Sequence, residues 1–514
     1  MPQQSIHQLI QHAALSTPHA IALLHRKRQV SYAQLWHQVA QIADQLDQLG
    51  LAPGSRIAVY LPKQTGMVAC LFAASSAGYV FVPVNPLLKA AQVVHILNDA
   101  QASVLITNAQ RLEMLKQLLP DCHHLQAVAL QEDGGSKLEL NQQPGRPSSV
   151  KVPEHLAAIL YTSGSTGLPK GVMLSQQNLL LGAASVNQYL EINAGDRLLG
   201  VLPFSFDYGL NQLMSTFMAG ASLVLMDYLF AKDVISAVSR YRITGVAGIP
   251  SLWKQLAALD WPPDCQQTLR YLTSSGGVMP MSTTLSLRDK LPDTDIFLMY
   301  GLTEAFRSTY LPADQIDKHA DSIGIAIPYA ALHLINAAGE LCSANELGEL
   351  VHSGPLVTMG YWNSPDRTHK RFRPLPGADQ TGLNQMAVWS GDLMRQDEQG
   401  LYYFVGRMDA MIKTSGYRVS PAEIESVAQA ANPHTRLAAV GIPHPALGQA
   451  ILLVLEHGDD TLPQQLIDAC KQQLPQYMVP LAVESMQRLP HNVNGKIDRV
   501  ALARHYHDYF ADIP

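Results

Sequence analysis

Tyr161-Thr-Ser-Gly-Ser-Thr-Gly-Leu-Pro-Lys-Gly171 decides how the rest of this chain is read. Hydroxyls and glycines follow one another with no bulky side chain before Leu168, and Lys170 stands just beyond. Such a loop lets backbone N–H groups close in on an anion, with short hydroxyls as further donors and a mobile ammonium to follow phosphate oxygens. The apolar run Leu156-Ala-Ala-Ile-Leu160 before it has the length of a buried strand. The loop therefore sits at a strand's end, where open α/β sheets place their ligands. It does not fit Gly-x-x-x-x-Gly-Lys-Ser/Thr, because Gly164 and Gly167 stand too close and Lys170 precedes Gly171. Phosphate handling is expected, but not by a P-loop NTPase.

The chain has 514 residues, too many for one ordinary core, so about two to four domains are expected. Hydrophobic residues at 47% against charged residues at 15% describe a globular chain with ample core material. A net charge of −6 gives no footing for wholesale nucleic-acid binding. The basic cluster His25-Arg-Lys-Arg28 lies between apolar runs and reads as a solvated hairpin turn. Five scattered cysteines without a C-x-x-C pair argue against a disulfide framework or a zinc site and fit a reducing cytoplasm, the expected location. The N-terminus carries no basic-then-apolar secretory signal. Met67 to Val84 is uncharged, yet Ser75, Ser76 and Gly78 interrupt it and Pro83 closes it. A buried helix followed by a strand, Tyr79-Val-Phe-Val82, is the reading, and no membrane span is expected.

Helical and strand patterns alternate through the first half in the βαβ manner. Ser31 reads as the N-cap of a helix whose face carries Leu35, Val39, Ile42, Ala43 and Leu46. Strands are expected at Arg56–Tyr60, Ser103–Thr107, Arg197–Leu202 and Ala221–Met226, and a connecting loop from about Gln131 to Ser149. A boundary is expected near Gly406. Beyond it, Ser420-Pro-Ala-Glu423 has the form of a capping box. Strands at Leu437–Ile442 and Ala450–Leu455 and a helix from about Leu462 to Gln473 then complete a compact α+β unit.

The phosphate loop, Tyr300-Gly-Leu-Thr-Glu304, Ser390-Gly-Asp392, Gly406-Arg-Met-Asp409, Lys413-Thr-Ser-Gly-Tyr-Arg418 and Asn494-Gly-Lys-Ile-Asp-Arg499 together resemble the AMP-forming adenylating enzymes. That superfamily contains acyl-CoA synthetases, nonribosomal peptide adenylation domains and firefly-type luciferases. The motifs come in the family's order across nearly the whole chain. One departure is Ser175-Gln-Gln-Asn178, where many relatives have Thr-His-Arg/Lys-Asn. The resemblance implies an α/β fold with a large N-terminal domain of stacked α/β subdomains and a small β-barrel-like part. A smaller, mobile α+β C-terminal domain would follow, with the division at residues 1–405 and 406–514.

It also implies ATP-dependent, AMP-forming activation of a carboxylic acid, then transfer to a phosphopantetheine thiol, with Mg²⁺ assisting. Fixed donors, a lysine and the metal would stabilise charge gathering on phosphate oxygens. By resemblance, Thr162, Ser163, Gly164, Ser165, Thr166, Gly167 and Lys170 hold the departing pyrophosphate, while Thr303 and Glu304 match positions at the α-phosphate and the Mg²⁺. Gly276, Gly277, Tyr300 and Gly301 would enclose the adenine, and Asp392 and Arg407 would take the ribose. Lys496 matches the catalytic lysine, and Asp409 the hinge about which the small domain turns.

The segment Pro203-Phe-Ser-Phe-Asp-Tyr-Gly-Leu-Asn211 resembles the lining of the acyl pocket. Asp207 falls where amino-acid-activating relatives pair a carboxylate with the substrate's ammonium. Arg307 would bind a second carboxylate or neutralise Asp207. Tyr208, Asn211, Ser251, Thr273, Ser275, Met299 and Ser308 complete a fairly polar lining. A small or amino-bearing acid is favoured over a medium or long fatty acid. A nucleotide-binding sensor or scaffold without catalysis, and a phosphotransferase, are the readings from other classes. No Gly-Gly-x-Ser attachment site follows Lys496, so CoA or a separate carrier protein is the expected acceptor.

Overall fold

The computed structural model describes residues 5–511 apart from 133–134, 136, 149, 163–168, 377–385, 409–410, 433–434, 457–461 and 491–496. Short apolar runs bounded by turn residues become strands of two large sheets. One runs in the order Leu138–Gln142, Ala127–Gln131, Ala102–Thr107, Arg56–Val59, Val80–Pro83, Leu156–Thr162, Lys170–Ser175. The other carries Asp295–Tyr300, Tyr271–Ser274, Gly245–Gly248, Arg197–Gly200, Ser222–Leu225 and Ile21–His25 side by side, all parallel. Helical crossovers make that arrangement possible, as the alternating pattern implies.

The helices Thr65–Ser76 and Asp207–Met218 are buried at almost every position. Phe72 and Phe217 join them edge to face, with ring centroids 5.4 Å apart. A helix with no polar face belongs inside a protein or a membrane. Here the surrounding sheets and helices cover it, and no helix among the described residues is long and apolar enough to cross a membrane.

Two local expectations are corrected. The 131–149 segment contributes the strand Leu138–Gln142, antiparallel to Ala127–Gln131. Only Leu138 of that strand is buried, so its composition is that of a solvated loop. Ser31 does form a reciprocal cap with Gln34, but Ser420 forms none. Its hydroxyl is buried without a partner among the described residues, because the Glu423 N–H donates to the Ser420 carbonyl oxygen at 3.2 Å instead, while the Glu423 carboxylate accepts a 2.8 Å hydrogen bond from Gln92 Nε2.

An antiparallel sheet of Ala331–Ile335, Gly348–Ser353, Met386–Gln396, Phe372–Pro374 and Tyr402–Arg407 follows the parallel ones. The expected division at 405/406 falls inside its last strand. The C-terminal unit is a separate sheet of Tyr417–Val419, Ile412–Thr414, Gly448–Glu456, Arg436–His444 and Ala482–Met486. The helices Pro421–Ala431 and Leu462–Gln473 pack with it around a core of its own.

This small unit is seated on the large one. Gly416, at φ +80°, fits so closely that a Cβ there would lie 2.7 Å from Ile249 side-chain carbons. Tyr417 stacks on Tyr477 at 3.8 Å and hydrogen-bonds Asn85. Burial at this junction raises the Glu423 carboxyl to about 7, the Gln92 hydrogen bond opposing it. A solvated glutamate titrates near 4.3, so the docked form binds the proton more tightly. Docking is then fully favoured below that range and weakens as pH rises through about 7. Glu423→Gln is expected to remove this dependence and keep the small unit docked at pH 8. The distance between dyes on the two units reads this, and a variant that still undocks between pH 6 and 8 refutes it.

Candidate active site

The strand Leu156–Thr162 turns back antiparallel into Lys170–Ser175, so the phosphate loop is the connection of a hairpin rather than a strand-to-helix turn. A distant segment then adds to this hairpin. Met359 N donates to Met173 O, Met173 N to Gly360 O and Trp362 N to Gly171 O. That pairing delivers the Tyr361 hydroxyl to Lys170.

Lys170 Nζ donates to Tyr361 Oη at 2.6 Å and to Glu304 Oε1 at 3.1 Å, and Tyr361 Oη donates to the same carboxylate oxygen at 2.5 Å. The Lys170 ammonium also lies 3.9 Å from the centre of the Tyr361 ring. Glu304 is 2% exposed. Burial alone would raise its carboxyl, yet Lys170, Arg371 and Arg418 together hold it well below the usual range. Burial lowers Lys170 to about 8, Glu304 resisting and the two arginines adding to the fall. Glu304 is therefore an ionised carboxylate in a cluster of cations. It sits on a short turn, Thr303–Ala305, that ends at Phe306 with φ +60°. That backbone is strained for a non-glycine residue, the kind of strain that gathers at functional sites.

One cavity, about 160 Å³, is lined by Thr162, Asp207, Tyr208, Ser275, Gly276, Gly301, Thr303, Glu304, Arg307 and Asp392. On the expected nucleotide side, Tyr300 donates to buried Asp392 Oδ2 at 2.5 Å. Among the described residues the Thr162 hydroxyl is buried with no partner, as a donor awaiting an anion would be. Glu304, a buried and ionised carboxylate on the cavity wall, suits a Mg²⁺ held mainly by substrate phosphates, since that ion keeps few protein ligands. Gly276 and Gly277 also line a larger cavity of about 1150 Å³ between the two units, as do Lys413 and Gly416.

On the acyl side, Asp207 opens the helix Asp207–Met218 and accepts from Thr303 Oγ1 at 3.4 Å. Burial raises its carboxyl to about 6, Arg307 pulling down and Glu304 pushing up. The Tyr208 hydroxyl and Thr273 Oγ1 are 2.5 Å apart. Asn211 and Met299 are buried but do not line the cavity, and the Met299 sulfur accepts from Tyr189 at 3.1 Å. Ser308 bonds His352 at 2.9 Å, and Ser251 lines the larger cavity. Ser163, Gly164, Ser165, Thr166, Gly167, Asp409 and Lys496 lie outside the described residues, as does the side chain of Arg407.

Sequence reasoning missed Tyr361 and Arg371. Gly360-Tyr361-Trp362 marks a turn beside two aromatic residues, but nothing local ties the Tyr361 hydroxyl to Lys170. Arg371 ends the helix Pro365–Arg371, donates to the Ser390 carbonyl oxygen, and has no motif around it.

Sequence comparison accounts for this arrangement. The family model described as AMP-binding enzyme matches residues 10–362, and that of the AMP-binding enzyme C-terminal domain matches residues 423–496. The chain belongs to the AMP-binding enzyme family. It is 30% identical to an L-proline–[L-prolyl-carrier protein] ligase of Pseudomonas fluorescens, covering 97% of this chain and 99% of that protein. It is 31% identical to a linear gramicidin synthase of Brevibacillus parabrevis over 97% of this chain, and spans only 10% of that much longer protein. The chain likewise covers a small fraction of other peptide synthetases it matches. Its fold is similar to that of o-succinylbenzoate CoA synthetase from Bacillus subtilis at 24% identity, over 96% of this chain and 98% of that one. The TM-score is 0.82 for the form bound to a product analogue and 0.68 for the form with an acyl-adenylate.

In this AMP-binding enzyme the Tyr361 hydroxyl ties the lysine of the phosphate loop to the carboxylate of the Thr303-Glu304 turn. Tyr361→Phe keeps the ring but strips both hydrogen bonds from buried groups, at an expected cost of about 1–3 kcal/mol. A fall in the urea midpoint measures it, and an unchanged midpoint shows that the hydroxyl holds nothing together.

Proposed function

We propose that this protein joins ATP to a small carboxylic acid and then passes the acyl group to a phosphopantetheine thiol. The acid's carboxylate oxygen attacks the α-phosphorus, the α–β phosphoanhydride bond breaks, and pyrophosphate leaves. The thiolate then attacks the acyl carbon, the bond to the phosphate oxygen breaks, and AMP leaves. The observation that carries this reading is the convergence of Thr162, Glu304, Asp392 and Asp207 on one cavity.

Lys170 and the Thr162 hydroxyl would take the pyrophosphate oxygens, their charge developing as the anhydride breaks. Glu304 would hold a Mg²⁺ together with the substrate phosphates, and that ion would supply charge neutralisation when bound. Tyr300 and Asp392 would fix the nucleoside, which brings the α-phosphorus in line with the carboxylate. Lys496, by family resemblance, would bridge that carboxylate and the phosphate. The charged side chains of Asp207 and Arg307 on the cavity wall favour a short, polar acid over a long acyl chain.

The higher fold similarity to a form carrying a CoA-type product analogue supports a small unit poised for the second step. The larger cavity shares Gly276, Lys413 and Gly416 with the first, which gives a pantetheine arm a route to the acyl carbon. The acceptor is CoA or a carrier protein, and mixing the acyl-adenylate with each in turn distinguishes them.

ATP–pyrophosphate exchange with a panel of amino, hydroxy and fatty acids tests the reaction. Exchange of label into ATP is expected with a short acid, and equimolar AMP and pyrophosphate once a thiol acceptor is added; formation of ADP overturns it. Asp207 adds a pH dependence. Its carboxyl is ionised above about 6 and protonated below. The KM for an amino acid should therefore rise as pH falls through 6, approaching tenfold per unit. Asp207→Ala should remove both the tight KM and its pH dependence. Undiminished exchange in that variant rules out an ammonium anchor.

A further inference from the structure

Arg307 is a cation buried to 2% exposure on the wall of the acyl pocket. A buried guanidinium needs an anion or a full set of acceptors, because its desolvation is costly. Arg307 has neither among the described residues. Its Nε is buried with no hydrogen-bond partner. The guanidinium lies against the Tyr208 ring, 4.5 Å from its centre, a contact that supports a cation without neutralising it.

Asp207 is the obvious internal partner, and it does not serve. The Asp207 carboxylate accepts from Thr303 instead, and no ion pair among the described residues brings it within 4 Å of Arg307. The charges feel one another, but the Asp207 carboxyl still stays up at about 6. A neutralised, hydrogen-bonded carboxylate would lie well below that. The strained turn also sets Arg307 at the cavity. Phe306 at φ +60° follows Glu304, so that Glu304 and Arg307, three residues apart, line the same space. On the helix behind, Asn211 Nδ2 is a second buried donor with no acceptor.

We propose that Arg307 binds a second carboxylate on the acid that is activated, making the substrate a short dicarboxylic acid. The proposal rests on the adenylation reading above. One carboxylate would face the α-phosphate and the other would pair with the guanidinium, whose fork suits a bidentate carboxylate. An ammonium on the same molecule would meet Asp207, so that each buried charge of the pocket gains a partner only when such an acid is bound. A monocarboxylic acid with an apolar tail would leave the guanidinium uncompensated.

The test is pyrophosphate exchange with matched pairs: succinate against butyrate, aspartate against alanine, and glutamate against 2-aminobutyrate. The dicarboxylic member of at least one pair is expected to win by about 100-fold in kcat/KM, the scale of a buried charge left unpaired. Arg307→Met should collapse that ratio, and Arg307→Lys should restore part of it. The amino and non-amino pairs separate the Arg307 contact from the Asp207 contact. Preference for the monocarboxylic member in every pair overturns the proposal, and needs no variant to fold. A ratio unchanged in a folded Arg307→Met protein overturns it too. Absence of exchange with every acid overturns the adenylation reading and this proposal with it, whereas exchange confined to monocarboxylic acids overturns this proposal alone.

Discussion

The Lys170–Glu304 pair is the constraint on which the rest of the site depends. Glu304 is out of water and Lys170 is largely so, and an ion pair there recovers its desolvation cost only if the remaining hydrogen bonds are met. Tyr361 meets them, donating to Glu304 and accepting from Lys170, and Arg371 and Arg418 add positive potential around the carboxylate. The arrangement carries more positive than negative charge around one glutamate. A triphosphate arriving there would find donors that are fixed in place, and Lys170 would exchange one anion for another instead of being taken from water. Pre-organised charge of this kind needs no reorganisation when phosphate charge develops.

Two of the cations in this neighbourhood, Lys413 and Arg418, belong to the small unit. Its docking and the site's electrostatics are therefore linked. With Gly416 wedged at Ile249 and Gly276, the docked unit brings Arg418 into the field of Glu304 and places Lys413 5.9 Å from the Tyr300 ring centre. Negative charge in the cavity would favour this docked form. Linkage of that type is reciprocal: the docked unit must in turn favour the anion. The Glu423–Gln92 contact sets a second, opposite condition, since its carboxyl docks most readily when it is uncharged.

Much of this was legible in the sequence, for identifiable reasons. Strands Leu156–Thr162 and Asp295–Tyr300 are short apolar runs, and the residues that do chemistry sit at their ends, so the motif positions and the cavity wall coincide at Thr162, Thr303, Glu304 and Asp392. Tyr361 was not legible, because its role depends on a backbone pairing with Lys170–Ser175 across nearly two hundred residues of chain. Ser420 failed for the converse reason: the local capping pattern is intact, but Glu423 is claimed by a residue of the other unit. Local rules hold until a tertiary contact competes for the same atoms.

The same limit explains the acyl end. Asp207 and Arg307 can be assigned to one pocket from their motifs, but only distances decide whether they satisfy each other. Two oppositely charged couples reach the cavity wall, one through Glu304 alone and one through both Asp207 and Arg307, and they are built differently. Lys170 and Glu304 touch at 3.1 Å with a tyrosine hydroxyl closing the triangle. Arg307 instead lies over the Tyr208 ring, whose hydroxyl is held by Thr273, while Asp207 turns to Thr303. The first couple is complete without a ligand. The second forms no ion pair among the described residues, so its charges stay unmatched until something carrying the complementary groups enters. A pocket that keeps two buried charges unpaired is less stable than one that joins them, and that instability is lowered only by a substrate that fits both.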